Sequence, residues 1–401
     1  MTTAQRHDVV GGPRGDLVGV GTLIGFMLRV DRVRVPAWTA GIGAFALYVS
    51  IAVPAAYGDD LDAATDLFDS PVGRMLTGPG YGLTEPTNER LIAGGYGLYF
   101  LLCSALMSIL LVVRHTRAEE QSGRAELVRA NVVGRHAGLV AAQVVAVVAD
   151  LAVGVAVFAV LVVVGGFAVE GSAVLAASVA AVGLAFAGIA AITAQLTQHS
   201  RAASGLAGGV LAAAFVLRGG GDMAEAGGTL LSWLSPLGWG QQTAPYVLDR
   251  WWPLLLLVAT ALGTTVVAFV LADRRDFGAG FVAERPGPGR ARPYLGTVVG
   301  LSMRLQRASI VGWTASLAIA GFVFGLFTEA MLDASDDLPE VIEELFGADD
   351  LVAGYLGVMA LLMAIMIAVY AVLAVQSMRT EETSGRGDAV LATPVSRRAW
   401  L

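Results

Sequence analysis

Lysine is absent from all 401 residues, cysteine occurs once, and histidine four times. Each scarcity excludes something. A Walker-A phosphate loop needs a lysine to reach the terminal phosphates, so these residues hold no P-loop ATPase. Cys103 alone makes no disulfide within the chain, and its place inside an apolar run reads as core packing. His7, His115, His136 and His199 are scattered, with no H-E-x-x-H and no paired-cysteine pattern, so neither a metal centre nor a catalytic site is expected. The first 35 residues are interrupted by Arg6, Arg14, Arg29, Arg32 and Arg34, which leaves no apolar core of a cleaved leader.

Charge is scarce as well. Charged residues make up 15% of the chain against 56% hydrophobic, and the mean hydropathy is +0.68. Apolar runs near 36–57, 93–114, 137–164, 174–196, 202–218, 251–272, 308–331 and 352–377 are each roughly the 20 residues needed to cross a bilayer. The shortest, 202–218, is interrupted by Gly205, Gly208 and Gly209. The composition predicts an all-α, polytopic helical membrane protein.

Without lysine, arginine alone reports orientation. With the N-terminus in the cytoplasm and the spans threaded alternately, 22 of 26 arginines fall inside, and only Arg74, Arg90, Arg218 and Arg250 outside. The acids concentrate in the external stretches 58–92 and 332–351. The protein is therefore expected to be multi-pass in the cell membrane with a cytoplasmic N-terminus.

Two blocks recur in order. "GTLIGFMLRVDRVRVPAWTA" (21–40) matches "GTVVGLSMRLQRASIVGWTA" (296–315) at an offset of 275. "RAEEQSGRAELV" (117–128) matches "RTEETSGRGDAV" (379–390) at 262, so the second external loop is 13 residues shorter (275 − 262). This is a tandem duplication, parallel because six spans separate the copies. The expected organisation is a cytoplasmic tail (1–20), a first repeat (21–272), a linker (273–295) and the start of a second repeat (296–401). Leu401 aligns with Leu139, so a twelve-span protein with a further 136 residues (275 − 139) is expected.

Each repeat opens alike. Across 21–35, Leu23, Ile24, Met27, Leu28 and Val35 are interleaved with Arg29, Arg32 and Arg34. That suits an elbow helix in the inner leaflet, with arginines on phosphates and aliphatic residues at the acyl boundary; the alternative is an ordinary positive-inside flank.

Elbow, span, external segment, span, then an E-E-x-x-G segment entering a third span: in this order the chain resembles the permeases of type-2 ABC exporters. It looks most like the actinobacterial fused permeases that export polyketide antibiotics and other drugs, including the segment "WLSPLGWGQQ" (233–242). The resemblance covers nearly all of 17–401. It implies export of amphipathic drugs or antibiotics, powered by ATP hydrolysis on two copies of a separate cytoplasmic ATPase. ATP and magnesium then belong to that partner, the transport subunit itself has no cofactor or catalytic role, and its other partners are lipid and substrate, with no nucleic acid. It also implies coupling helices at about 119–131 and 381–392 that contact the ATPase through Glu119, Glu120, Gly123 and Arg124, and through Glu381, Glu382, Gly385 and Arg386. A solvated loop balancing nearby arginines is the alternative. The copies differ downstream, "NVVGRH" (131–136) lacking the proline of "TPVSRR" (393–398), which implies unequal grips.

Asp150, near the middle of the third span, either meets a cationic substrate or pairs with a polar neighbour such as Gln143 or Gln195. Trp233, Pro236 and Trp239 lie where the resemblance implies an external re-entrant element; aromatic anchoring at the interface is the alternative. Short external helices are expected at 62–76 and 338–347. A secondary transporter would also be duplicated, but with several buried ionisable groups and no twin charged segments. A polytopic membrane enzyme would need a cluster of reactive side chains at one face.

Overall fold

Small residues set the centre of the bundle. "VEGSAVLAASVAAVGLAFAGIAAITAQL" (169–196) is largely alanine, glycine, serine and valine, so neighbouring backbones approach it closely. In the computed structural model it is one 28-residue helix, 78% of whose most apolar window is buried. The structure describes residues 15–58, 61, 65, 68–282, 289, 290, 292–333, 351–383, 385, 388, 392 and 393. No strand occurs among them.

The chain divides into two compact units at residues 283 and 284. The first contains α1 (Val20–Val30), α2 (Arg34–Tyr57), α3 (Pro71–Thr77) and α4 (Asn88–Gln121). After these come α5 (Arg124–Arg129), α6 (Ala137–Val163), α7 (Val169–Leu196), α8 (Ser200–Ala224), α9 (Pro236–Gln241) and α10 (Pro253–Arg274). The second unit contains α11 (Val298–Asp333) and α12 (Leu351–Thr383). Among the described residues, seven helices are long and apolar enough to cross a membrane: α2, α4, α6, α7, α8, α10 and, in the second unit, Val352–Ser377 of α12. The fold is that of an all-α polytopic membrane protein.

In the first unit α7 packs against α10, α4, α6 and α8, while α1 and α2 both lie on α6. Two glycines of α7 fix its closest approaches to neighbouring helices. A Cβ at Gly188 would collide with Thr264 Oγ1 of α10 and lie 2.9 Å from the Ala261 carbonyl. A Cβ at Gly183 would collide with Asp150 of α6 and Ser104 of α4.

Local signals place the short elements. Ser70 caps α3, its hydroxyl accepting from Gly73 N at 2.9 Å with Pro71 next; Ser235 does the same for α9, accepting from Gly238 N at 3.4 Å ahead of Pro236. Thr87 caps the start of α4. Two π-turns, Ile92–Tyr96 and Arg114–Ala118, interrupt that helix.

Several boundaries differ from the sequence-based ones. The elbow ends at Val30 and the span begins at Arg34, with Asp31 at the break. The fifth span runs on to Ala224, because Arg218 and Asp222 neutralise each other one turn apart inside the helix. The expected helix at 119–131 is two pieces, broken where Gly123 takes a left-handed φ of 76°. Of the expected external helix at 62–76, the described residues 65, 68 and 69 and the stretch Pro71–Thr77 are helical; the one at 338–347 lies outside the described residues.

In the second unit α11 and α12 pack together: Trp313 and Tyr370 rings lie 5.6 Å apart, and the Tyr355 hydroxyl donates to Phe324 O at 3.0 Å. Here the stretch aligned with the first copy's elbow and span is one unbroken 36-residue helix, with Gln306 where the first copy has Asp31. It is not among the seven candidate spans, although a span was expected at 308–331.

Candidate functional site

At the end of the bundle where α4 gives way to α5, a short polar corner is tied to three spans. Glu120 accepts from Arg275, beyond the end of α10, through Nη2 at 2.6 Å and Nη1 at 3.0 Å. It also accepts from Arg117 Nη1 at 3.0 Å. The Arg117 side chain, only 1% exposed, donates through Nε to Ala194 O near the end of α7 at 2.8 Å. Arg275 Nε donates to Gln195 Oε1 at 2.6 Å. One carboxylate thus gathers the ends of α4, α7 and α10 in charge-assisted hydrogen bonds.

Neighbouring residues brace the same corner. Glu119 receives a two-pronged bond from Arg124, Nε at 2.9 Å and Nη2 at 2.8 Å, which spans the Gly123 kink. That hydrogen bond holds the Arg124 guanidinium above its ordinary pKa. Gln121 Oε1 accepts from Ser200 N at 2.9 Å and Ser200 Oγ at 2.8 Å, capping α8. Amid the polar side chains that the corner presents outward stand two aliphatic ones: Leu127 is 72% exposed and Val132 87%.

Asp31 forms a second hub that sequence reasoning passed over. Its carboxylate is fully buried and pairs with His115 Nε2, with Arg114 Nε at 3.3 Å and with Arg34 Nη1 at 3.5 Å. The elbow is thereby pinned to the end of α4. The available signal was one acid among three arginines in "RVDRVR" (29–34), a pattern that asks what the acid serves.

Between α1, the end of α4, α5 and the start of α6 lies a cleft of about 710 Å³. Phe26, Met27 and Val30 of the elbow form one wall, Val133, Leu139 and Phe277 others.

Asp150 is fully buried, and its partners are serines of α4. Ser108 Oγ donates at 2.8 Å, and Ser104 Oγ lies 3.2 Å from Oδ1. The amides considered from sequence are engaged elsewhere: Gln143 donates to Ala187 O at 3.2 Å, and Gln195 accepts from Arg275. In this conformation Asp150 is closed to a substrate.

At the opposite end, the four arginines assigned to the outside gather around α3 and the 222–250 region. Arg218, fully buried, pairs with Asp222 at 3.1 Å and donates to Met75 O at 2.6 Å. Asp222 accepts from Ser232 Oγ at 2.6 Å, and its backbone oxygen from Arg74 Nε at 3.0 Å. Arg90 donates to Tyr246 O at 3.2 Å, and Arg250 lies over the Tyr81 ring at 5.9 Å. The segment carrying Trp233, Pro236 and Trp239 turns inward here. Leu237 is fully buried, Trp239 Nε1 donates to Trp233 O at 2.6 Å, and Trp233 stacks on Trp252 at 5.1 Å. Three non-glycine residues just beyond, Ala244, Tyr246 and Asp249, adopt positive φ. Burial pushes the Tyr246 hydroxyl up to about 12, and it stays paired with Ser172 at 2.9 Å.

The structure therefore brings Glu119, Glu120, Gly123 and Arg124 together in one corner, and Trp233, Pro236 and Trp239 in another, with Asp150 apart from both. In the second copy Glu381 and Glu382 lie in the last turn of α12, and Gly385 takes a φ of 72°, close to that of Gly123. Arg386 lies outside the described residues. Among the described residues no group of acids, histidines and cysteine is placed to hold a metal.

Residues 20–271 and 295–401 match the family described as multidrug efflux system permease Rv1217c, C-terminal domain. The chain is 39% identical, over 389 residues, to the multidrug efflux system permease protein Rv1217c of Mycobacterium tuberculosis, an alignment covering 94% of this chain and 69% of that protein.

Proposed function

The chain belongs to the Rv1217c family of multidrug efflux permeases, and from that membership we propose that it is the membrane-spanning part of an ATP-driven ABC exporter. It moves amphipathic drugs or antibiotics out of the cell, with ATP and magnesium bound on two separate cytoplasmic ATPase subunits. The end bearing the Glu120 corner faces the cytoplasm, and the Arg218 end faces outside.

The observation that carries this reading is the construction of the corner. A segment pushed by a soluble motor has to project from the membrane and be stiffly joined to the helices it moves. Residues 119–132 do both: Leu127 and Val132 stand exposed, while Glu120 ties the same segment to the ends of α4, α7 and α10. The glutamates on this reading are braces rather than contacts, and the exposed aliphatic residues meet the ATPase. Gly385, at the matching place of the second copy, takes a φ of 72° against 76° for Gly123.

The test uses the full-length permease expressed with its ATPase. Changing Leu127 and Val132 to Glu should strip the ATPase from the purified permease and abolish ATP-dependent drug efflux from inverted vesicles, with permease abundance unchanged. Efflux sustained by a proton gradient without ATP, or wild-type subunit ratio and efflux in this variant, would refute the reading.

A further inference from the structure

The cleft beside the elbow has a chemistry that the coupling role does not use. Five arginines line it, Arg114, Arg124, Arg129, Arg135 and Arg275, against three carboxylates, Glu119, Glu120 and Asp276. With the histidines neutral its lining carries +2 (5 − 3). Two of the carboxylates are already answered, Glu119 by Arg124 and Glu120 by Arg117 and Arg275. Arg135 is also engaged, by Asp273 and the Ala272 carbonyl. Arg114 and Arg129 are different. Among the described residues neither side chain donates a hydrogen bond to an acceptor: Arg114 touches Asp31 only through an ion pair at Nε, and Arg129 lies over the Phe277 ring at 4.3 Å.

The walls are apolar. Phe26 is 54% exposed and Val30 43% on the elbow, the one helix here built to lie along a membrane surface. Met27, Val133 and Leu139 continue that surface inward. Unsatisfied guanidinium forks above an apolar trough match a phosphate carried on an acyl chain, and basic pockets on the cytoplasmic side of helical membrane proteins hold such headgroups.

We propose that this cleft binds one anionic phospholipid of the inner leaflet, its phosphate between Arg114 and Arg129 and its chain along Phe26, Met27 and Val30. The lipid fills the gap between elbow and coupling corner and stiffens their junction. This rests on the reading above only for placing this end of the bundle at the cytoplasmic leaflet.

The experiment takes the full-length permease, purified without any ATPase, into nanodiscs of phosphatidylcholine containing a trace of photoreactive phosphatidylglycerol. Cross-links should map to 26–30 and 128–139, and unlabelled phosphatidylglycerol should compete while phosphatidylcholine does not. Exposed Arg129 changed to Gln should weaken retention of phosphatidylglycerol in native mass spectrometry by several-fold, and with Arg114→Gln by roughly tenfold or more. Two results would each overturn the proposal: equal capture of the zwitterionic lipid, or competition by soluble glycerol phosphate as strong as by the lipid. The readout needs neither ATP nor efflux, so its failure is separable from failure of the transport reading.

Discussion

Glu120 and Arg275 meet through two hydrogen bonds, 2.6 and 3.0 Å, although 155 residues of chain separate them. Glu119, the adjacent residue, bonds instead within five residues, to Arg124. Side-chain exposures of 13% and 8% for the first pair, against 25% and 64% for the second, predict unequal consequences. Removing one partner of the largely buried pair should cost about 3 kcal/mol, whereas the exposed pair contributes under about 1 kcal/mol. Glu120→Ala should lower the Tm of the purified permease clearly and Glu119→Ala hardly at all. A double-mutant cycle with Arg275→Ala should show coupling for Glu120 alone.

A second prediction concerns Asp150. Its hydrogen bonds come from Ser104 and Ser108, and an amide can accept them equally well. Asp150→Asn should therefore keep wild-type abundance and lose no more efflux of cationic drugs than of neutral ones. Ser108→Val, which withdraws the closer donor from a buried carboxylate, should destabilise by about 1–3 kcal/mol. Selective loss of cationic substrates in Asp150→Asn would show instead that the carboxylate meets the drug.

The notch above that aspartate is equally testable. Gly183→Ala places a methyl against both Asp150 and Ser104, with no flexible chain end to move aside. Overpacking of this kind costs about 1–3 kcal/mol, read as a lower Tm. Gly205→Ala, where nothing lies within 4 Å, should be neutral or stabilising.

Gly123 provides a fourth test. Its surroundings are open but its φ is 76°, so Gly123→Ala is opposed by backbone conformation alone, about 1–2 kcal/mol. Permease abundance should hold while the corner straightens, and ATP-dependent efflux should fall. Gly385→Ala should do the same in the second copy.

The spans were legible because a bilayer demands about twenty apolar residues in a row, a demand visible without tertiary information. The repeat rests on identity at fixed offsets in the sequence itself. What could not be read was direction. E-E-x-x-G announces a polar corner, yet nothing local says that Glu120 points inward to Arg275, since its partner is 155 residues away. Asp150 drew attention to distant amides, while its donors were Ser104 and Ser108, four residues apart on one face of α4. Arg218 looked like the end of a span because a lone charge usually is one; its partner one turn on, Asp222, makes the pair compatible with a buried helix.

α8 is fastened twice. Gln121 holds its first residue, Ser200, at one face of the bundle, and the Arg218–Asp222 pair locks its final turns to Met75 and Ser232 at the other. Its 25 residues span roughly 37 Å at about 1.5 Å per residue. Between those anchors Gly205, Gly208 and Gly209 have no neighbour within 4 Å of where a side chain would begin. Glycine weakens a helix interior by about 1 kcal/mol per residue relative to alanine. The helix is consequently a strut with fixed ends, held in the core through Ala203 and Ala207. Its weakest turns are at 205–209, where strain between the two faces would bow it first.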